Sequence, residues 1–239
     1  MDIVIYIALL FALGLSLVAQ VRVSSTFRKY SRIPTRRGMR AEVVARLVLD
    51  EAGCTDVVIE RTRGNLTDHY DPRTKTLRLS DSTYGNASAA AVGVACHEAG
   101  HAIQHREAYL PLKLRSLMVP TTSFASRAWY FIFMIGLVFM FISPDMTLPG
   151  LEFSLGYYAI LAGIALFSVT TVFQLVTLPY EFNASSRALR AMRATGYFEA
   201  SELSGARQVL SAAAMTYISA ALVSVLQLIR LLSMVRRNR

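Results

Sequence analysis

The chain contains two histidines four residues apart, with a glutamate beside the first, in the segment His97-Glu98-Ala99-Gly100-His101. On an α-helix, residues four apart lie on one face and one turn apart, so both imidazoles can bind the same metal ion. Glu98 lies about 100° round the helix from His97, where its carboxylate can reach an attacking water as a general base. This pattern is typical of zinc sites that hydrolyse peptide bonds, with His97 and His101 as ligands and Glu98 as the catalytic residue.

Uncharged residues flank the motif on both sides, which predicts that its helix is buried. These residues are Val94, Ala95, Cys96, Ala102 and Ile103. A charged glutamate buried without a function would cost several kcal/mol or have a raised pKa. Because an ordinary buried helix has no reason to carry Glu98 and two histidines, we interpret these residues as a metal site.

The composition departs from that of a soluble domain. Of the 239 residues, 54% are hydrophobic and only 17% are charged, whereas soluble domains are about a quarter charged. This composition argues against a disordered chain and against a disulfide-rich secreted scaffold. The net charge of +9 comes without a nucleic-acid-binding motif or basic–aromatic alternation, so we expect no nucleic-acid partner.

Four apolar stretches carry the hydrophobic excess, and a helix of about 20 such residues can cross a membrane. The stretches are residues 3–21, 128–144, 153–180 and 208–229. We expect a transmembrane anchor over residues 1–21 and a transmembrane hairpin over residues 128–180. Residues 208–239 are predicted to form a C-terminal hydrophobic helix, either a span or re-entrant, and a basic tail.

Basic residues predict the orientation. Seven follow the first stretch before any acidic residue: Arg22, Arg28, Lys29, Arg32, Arg36, Arg37 and Arg40. The loop of residues 144–152 contains Asp145 and Glu152 and no basic residue. The positive-inside rule then places residues 22–127 and 181–207 in the cytoplasm. A fourth span would put the basic tail outside, against this rule, so both alternatives for that helix stay open.

The predicted cytoplasmic segment, residues 22–127, has the pattern of a small α+β domain. A helix is expected over residues 41–52, strands over 57–61 and 76–79, and a second helix over about 88–105 that carries the motif. The predicted fold class is therefore a mainly α integral membrane protein. It has three or four hydrophobic helices and a small cytoplasmic α+β, zincin-like domain.

A catalytic zinc ion requires a third protein ligand and an open position for water. His105 is about 12 Å from His97 along the helix, too far to share the ion. His69 lies in a predicted loop, where solvent exposure explains it equally well. Glu181, on the predicted cytoplasmic helix of residues 181–207, follows the third apolar stretch where the chain returns to the side of the motif. It is the preferred ligand, and the alternative is a charge that only marks the membrane interface.

Four segments carry a resemblance to a known family: residues 66–72, 77–80, 97–104 and 178–185. With them, nearly the whole chain resembles the YugP-type membrane-bound neutral zinc metallopeptidases of bacteria and, more distantly, the HtpX and CAAX prenyl endopeptidase gluzincins. In those gluzincins the third ligand is the glutamate of an E-x-x-A-D pattern, which Glu181 matches. Ser185 stands where that pattern has an aspartate that orients a ligand histidine, and Asn183 or Asp68 is a candidate for that role.

The resemblance implies a zinc-dependent endopeptidase in the bacterial plasma membrane, multi-pass, with its active site facing the cytoplasm. We predict one Zn²⁺ per chain, held by His97, His101 and Glu181, and a membrane-associated protein or peptide as substrate. Candidates for an oxyanion donor or for orienting the ligands are His69, Tyr70, Asn183 and Arg187. The strand near residues 77–80 is expected either to pair with an extended substrate or only to cover the helix.

Two other classes of function are alternatives to the enzyme. A catalytically silent zinc-binding membrane scaffold or quality-control adaptor would keep the three ligands but would not need Glu98. A transporter would place polar residues inside its spans, whereas the first three predicted spans contain only Gln20, Gln174 and a few Ser and Thr. The presence of Glu98 favours the enzyme.

Overall fold

The computed structural model describes residues 2–147, 149–150 and 152–237, which form six helices and three strands. In chain order the elements are α1 (Asp2–Ser31), α2 (Ala41–Glu51), β1 (Val58–Thr62), β2 (His69–Asp71), β3 (Thr76–Ser80), α3 (Ala89–Arg106), α4 (Leu110–Ile142), α5 (Leu155–Ala194) and α6 (Ala200–Arg237). The fold is therefore mostly helical with one small sheet. The motif of residues 97–101 lies in the middle of α3, on a helix as predicted.

Four of the helices, α1, α4, α5 and α6, are long and apolar enough to cross a membrane. Each contains one of the four apolar stretches found in the sequence, so these stretches are confirmed as candidate spans by length and composition. The fourth stretch, which the sequence left open, belongs to α6. That helix satisfies the same criteria as the other three.

Helix α5 continues through the predicted boundary between the membrane hairpin and the next segment. The expected separate helix over residues 181–207 is instead divided, because α5 extends through Pro179 to Ala194 and α6 begins at Ala200. Proline removes one helical hydrogen bond, but membrane helices tolerate it. Glu181 therefore lies inside a continuous helix.

The three strands form a sheet in the order β1-β3-β2. Strand β3 pairs in parallel with β1 over its whole length and antiparallel with β2 over Thr76–Arg78. Residues 77 and 78 are therefore paired on both sides and have no free edge for an extended substrate, whereas β2 does not pair with residues 79 and 80. Strand β2, only three residues long, is too short to show an alternating pattern and was not predicted.

Residue contacts divide the chain into two compact units. One consists of the described residues of Met1–Gly14, Leu114–Thr177 and Ser219–Arg239. Its helical segments share a buried apolar cluster made by Phe133, Ile160, Ile164, Phe167 and Leu231.

The other unit, Leu15–Lys113 and Leu178–Ile218, contains α2, the sheet and α3 together with segments of α1, α5 and α6. Its core joins side chains of α2, β3 and α3, among them Val44, Leu49, Leu77, Leu79 and Ala95. Small residues let α3 approach its neighbours closely. A Cβ added at Gly93 would lie 2.9 Å from the Cβ of Ala206 in α6, and one added at Gly100 would lie 2.7 Å from the carbonyl oxygen of Ala184 in α5.

We expect Gly100→Ala to destabilise the protein and reduce its zinc content, because the new methyl group would meet the backbone of α5. Overpacking of this kind costs about 1–3 kcal/mol, which outweighs the gain of up to about 1 kcal/mol that alanine brings to a helix interior. Thermal unfolding in detergent and metal analysis measure both effects.

Gly14→Ala is the matched control, since Gly14 is also helical and nothing lies within 4 Å of its added Cβ. It should leave the thermal midpoint unchanged or raise it. Equal stability of the two variants would contradict the close packing at Gly100.

Candidate metal centre

Two turns of α3 and one position of α5 bring three possible ligands together. The Nε2 atoms of His97 and His101 lie 3.1 and 3.6 Å from the same carboxylate oxygen, Oε2 of Glu181. Glu181 and His101 are buried, with 6% and 4% of their surfaces exposed. The structure thus places the predicted third ligand directly opposite the histidine pair.

The spacing of these atoms fits a zinc ion. Zinc binds nitrogen and oxygen ligands at about 2.0–2.2 Å in tetrahedral geometry, so ligand atoms lie about 3.3 Å apart. The two distances from Glu181 to the histidines bracket that value. Two imidazoles and a carboxylate also make a donor set that zinc accepts in catalytic sites.

Glu98 lies beside His97, Glu181 and His101 but makes none of the short contacts that join those three side chains. One possible ligand atom from each of His97, Glu98 and His101 lies within 4.8 Å of the other two. Burial raises the pKa of the Glu98 carboxyl, and the charges of His101 and His97 only partly oppose it. A carboxylate with a raised pKa is a stronger base, as proton abstraction from water requires.

The surroundings of His97 favour its protonated form, and a metal ion would have to displace that proton. Burial lowers its pKa, but the hydrogen bond to Glu181 and the charges of Glu98 and Glu181 raise it by more, so the net pKa lies above the ordinary value. Zinc binds only the neutral imidazole, so metal binding must release that proton.

Both histidines are oriented by hydrogen bonds at their other ring nitrogen. Nδ1 of His97 lies 3.1 Å from Oγ of Ser185, and Nδ1 of His101 lies 3.0 Å from Oε1 of Gln104. Oε1 of Gln104 accepts the hydrogen bond from Nδ1 of His101, which leaves Nε2 of that ring for a metal ion. Oγ of Ser185 can accept from or donate to Nδ1 of His97, according to the tautomer, and holds the ring in either case. Ser185 therefore occupies the orienting position itself, although it is the residue at which the chain departs from the gluzincin pattern.

Gln104 ties α3 to α5 behind the site. It is fully buried, and its Nε2 donates to the carbonyl oxygen of Tyr180 and to Oδ1 of Asn183, both at 2.9 Å. The ring of Tyr180 stacks on His101 at 4.1 Å between centroids. Asn183 thus supports His101 only indirectly, through Gln104. Sequence reasoning missed Gln104, although its position three residues after His101 places it on the same face of α3.

The other predicted candidates lie elsewhere. His69 is exposed, with Nδ1 2.9 Å from the carbonyl oxygen of Thr67, and the hydroxyl of Tyr70 lies 2.9 Å from Nδ1 of His105. Burial raises the pKa of Tyr70 to about 12. Arg187 forms an ion pair with Glu107 at 2.6 Å, and its Nε donates to Oδ1 of Asn183 at 2.6 Å. None of the three lines the cavity that contains His97, Glu98 and Glu181, and Arg187 is connected to His101 only through Asn183 and Gln104.

Asp68 does line that cavity, but its carboxylate accepts hydrogen bonds from the backbone N–H and the hydroxyl of Ser80, at 2.7 and 2.8 Å. It holds the loop before β2 against the end of β3. Asp68 therefore stabilises the loop and does not orient a ligand histidine.

Comparisons with known proteins identify the family of the chain. No solved structure matches the chain. The chain is 44% identical over 219 residues to the Bacillus subtilis (strain 168) protein named "Putative membrane protease YugP", which covers 92% of this chain and 91% of that protein. Residues 5–236 match the model of a family described as "Putative neutral zinc metallopeptidase". With nearly its whole length covered, the chain belongs to this neutral zinc metallopeptidase family.

Proposed function

We propose that the protein is a membrane-embedded, zinc-dependent endopeptidase of the gluzincin type, with one Zn²⁺ per chain. The observation that carries this proposal is the convergence of His97 Nε2 and His101 Nε2 on one oxygen of Glu181. A glutamate as third ligand is the feature that defines the gluzincin arrangement, and the buried Glu98 supplies the base that hydrolysis needs.

Glu98 carries the proton transfers of the proposed mechanism. Zinc, when bound, lowers the pKa of water towards about 7 and polarises the scissile carbonyl. Glu98 accepts a proton from the attacking water and then delivers it to the leaving amine. Ser185 and Gln104 hold the two histidines in the orientation that ligation requires.

The orientation proposed for the site is cytoplasmic, in a bacterial plasma membrane. Its support is the distribution of charge, since the basic residues that follow the first apolar stretch and the acidic loop of residues 144–152 obey the positive-inside rule with this orientation. The relative of 44% identity is named as a membrane protease. A membrane-associated protein or peptide is therefore the proposed substrate.

Glu98→Gln should abolish proteolysis while zinc stays bound, because the amide cannot accept a proton. Loss of a general base typically costs a factor of about 10²–10⁴ in rate. The measurement is casein digestion by the purified full-length protein in detergent with zinc, with metal analysis of the same sample.

Glu51→Gln, the same change at an exposed position of α2, is the control and should behave as the unmodified protein. Full activity of Glu98→Gln in a zinc-replete sample would overturn the proposed mechanism. Zinc binding without proteolysis in either protein would instead favour the silent scaffold.

Replacing any one of His97, His101 and Glu181 by alanine should remove most of the bound zinc, because each supplies a ligand. Chelator treatment of the unmodified protein should stop proteolysis, and added zinc should restore it. His69→Ala changes an exposed histidine outside the cavity and should keep its zinc. Normal zinc content in Glu181→Ala would rule out Glu181 as the third ligand.

Gln104→Met should weaken zinc binding by about 10–100-fold, the usual effect of losing a group that orients a ligand histidine. Methionine preserves the size of the side chain but cannot accept the hydrogen bond from His101. Competition with a fluorescent zinc chelator measures the affinity. Gln208→Met, at an exposed position of α6, is the matched control. An unchanged affinity in Gln104→Met would show that His101 needs no such partner.

A further inference from the structure

A cavity of about 330 Å³ opens beside Glu98. Its volume is at the low end of the roughly 300–1,000 Å³ found for ligand pockets, enough for a side chain and the adjoining peptide units. His97, Glu98, Glu181 and Ser185 are part of its lining, contributed by α3 and α5. Any side chain that enters the cavity therefore lies next to the reacting groups.

Two other helices supply most of the remaining lining. Helix α6 contributes Val209, Leu210, Ala213, Ala214, Thr216 and Tyr217, and α1 contributes Gln20, Val23, Ser24 and Phe27. Positions 209/210 and 213/214 are one turn apart on α6, as are 23 and 27 on α1, so each helix presents an apolar stripe beside uncharged polar side chains. The alanines create the space, because larger residues at positions 213 and 214 would occupy it.

Leu66 adds a further apolar side chain to the lining. Its backbone has φ of 55°, a left-handed conformation that costs a residue other than glycine about 1–2 kcal/mol. The residue is 41% exposed, so an apolar side chain that enters the cavity would bury part of its surface.

None of the side chains that α1 and α6 contribute to the cavity is charged, and none of the lining residues that the structure describes is Lys or Arg. An acidic side chain placed against α1 and α6 would therefore lose hydration without a cation beside it. An apolar side chain would instead gain the free energy of burial.

We infer that the part of this cavity lined by α1 and α6 is a substrate subsite that takes a large aliphatic or aromatic side chain next to the scissile bond, with Ala213 and Ala214 determining its depth. The inference rests on the proposed peptidase function and specifies the substrate that this function would select. Acidic residues are disfavoured at the same substrate position, because the lining residues of α1 and α6 include no cation to compensate for lost hydration.

The test uses the full-length protein, purified in detergent with zinc, and a degenerate peptide library whose cleavage sites are mapped by mass spectrometry. Sites should be enriched in Leu, Ile, Met and Phe on one side of the scissile bond and depleted in Asp and Glu. Ala213→Leu and Ala214→Leu, made separately, should each lower kcat/KM for peptides with a large apolar residue at least tenfold relative to peptides with Ala. Zinc content reports whether each variant is folded.

Ser211→Leu is the matched control, because it adds a leucine to an exposed position of α6 outside the cavity. Its cleavage profile should equal that of the unmodified protein. Cleavage without an apolar preference, or a preference that both alanine variants retain, would overturn the subsite while leaving the peptidase function intact.

Binding of the same peptides to the Glu98→Gln protein, followed by fluorescence polarisation, separates the two proposals. The Glu98→Gln protein should bind peptides with a large apolar residue more tightly than acidic peptides, and the Ala214→Leu change should abolish that preference. This result would support the subsite even if the unmodified protein cleaved nothing. In that case only the peptidase proposal fails. Equal binding of apolar and acidic peptides would overturn the subsite.

Discussion

The arrangement of the whole site depends on one buried carboxylate, Glu181, facing two imidazoles across the interface of α3 and α5. A carboxylate loses its hydration in such a place, so it is retained only with charged or hydrogen-bonded partners. The Nε2 atoms of His97 and His101 are those partners, at 3.1 and 3.6 Å from its Oε2 atom. The same three groups have the spacing of zinc ligands, so one set of contacts is consistent with both the burial of the acid and the proposed metal centre.

This contact requires the two helices to lie very close, and the sequence of α3 permits it. The hydrogen atom on Cα of Gly100 fits against Ala184, whereas a methyl group at that position would not fit. Protein interiors are packed too densely to absorb even one extra carbon without movement. The glycine inside the motif therefore serves the approach of α5, on which the distance from Glu181 to the histidines depends.

Hydrogen bonds then hold the ligands in place. Gln104 satisfies its buried amide completely, with His101, Tyr180 and Asn183 as partners, and Ser185 performs the same task for His97. A buried polar network in which each group has a partner specifies one arrangement of side chains. The hydrogen-bonded network thus lies beside the part of the cavity that His97 and Glu181 line.

The sequence by itself determined everything that depends on spacing along one segment. One helix carries His97, Glu98 and His101, as their spacing predicted. The apolar stretches likewise predicted long helices, because helix formation depends on residues close together in the chain. Only the tertiary structure decided which distant residues complete the site, such as Ser185, which is 88 positions from His97, and Gln104, whose amide reaches Tyr180 in another helix. It also decided that β3 is central in its sheet and that α5 continues past Glu181. Such pairings arise from the packing of one helix or strand against another. The periodicity of residues within a single segment carries no information about them.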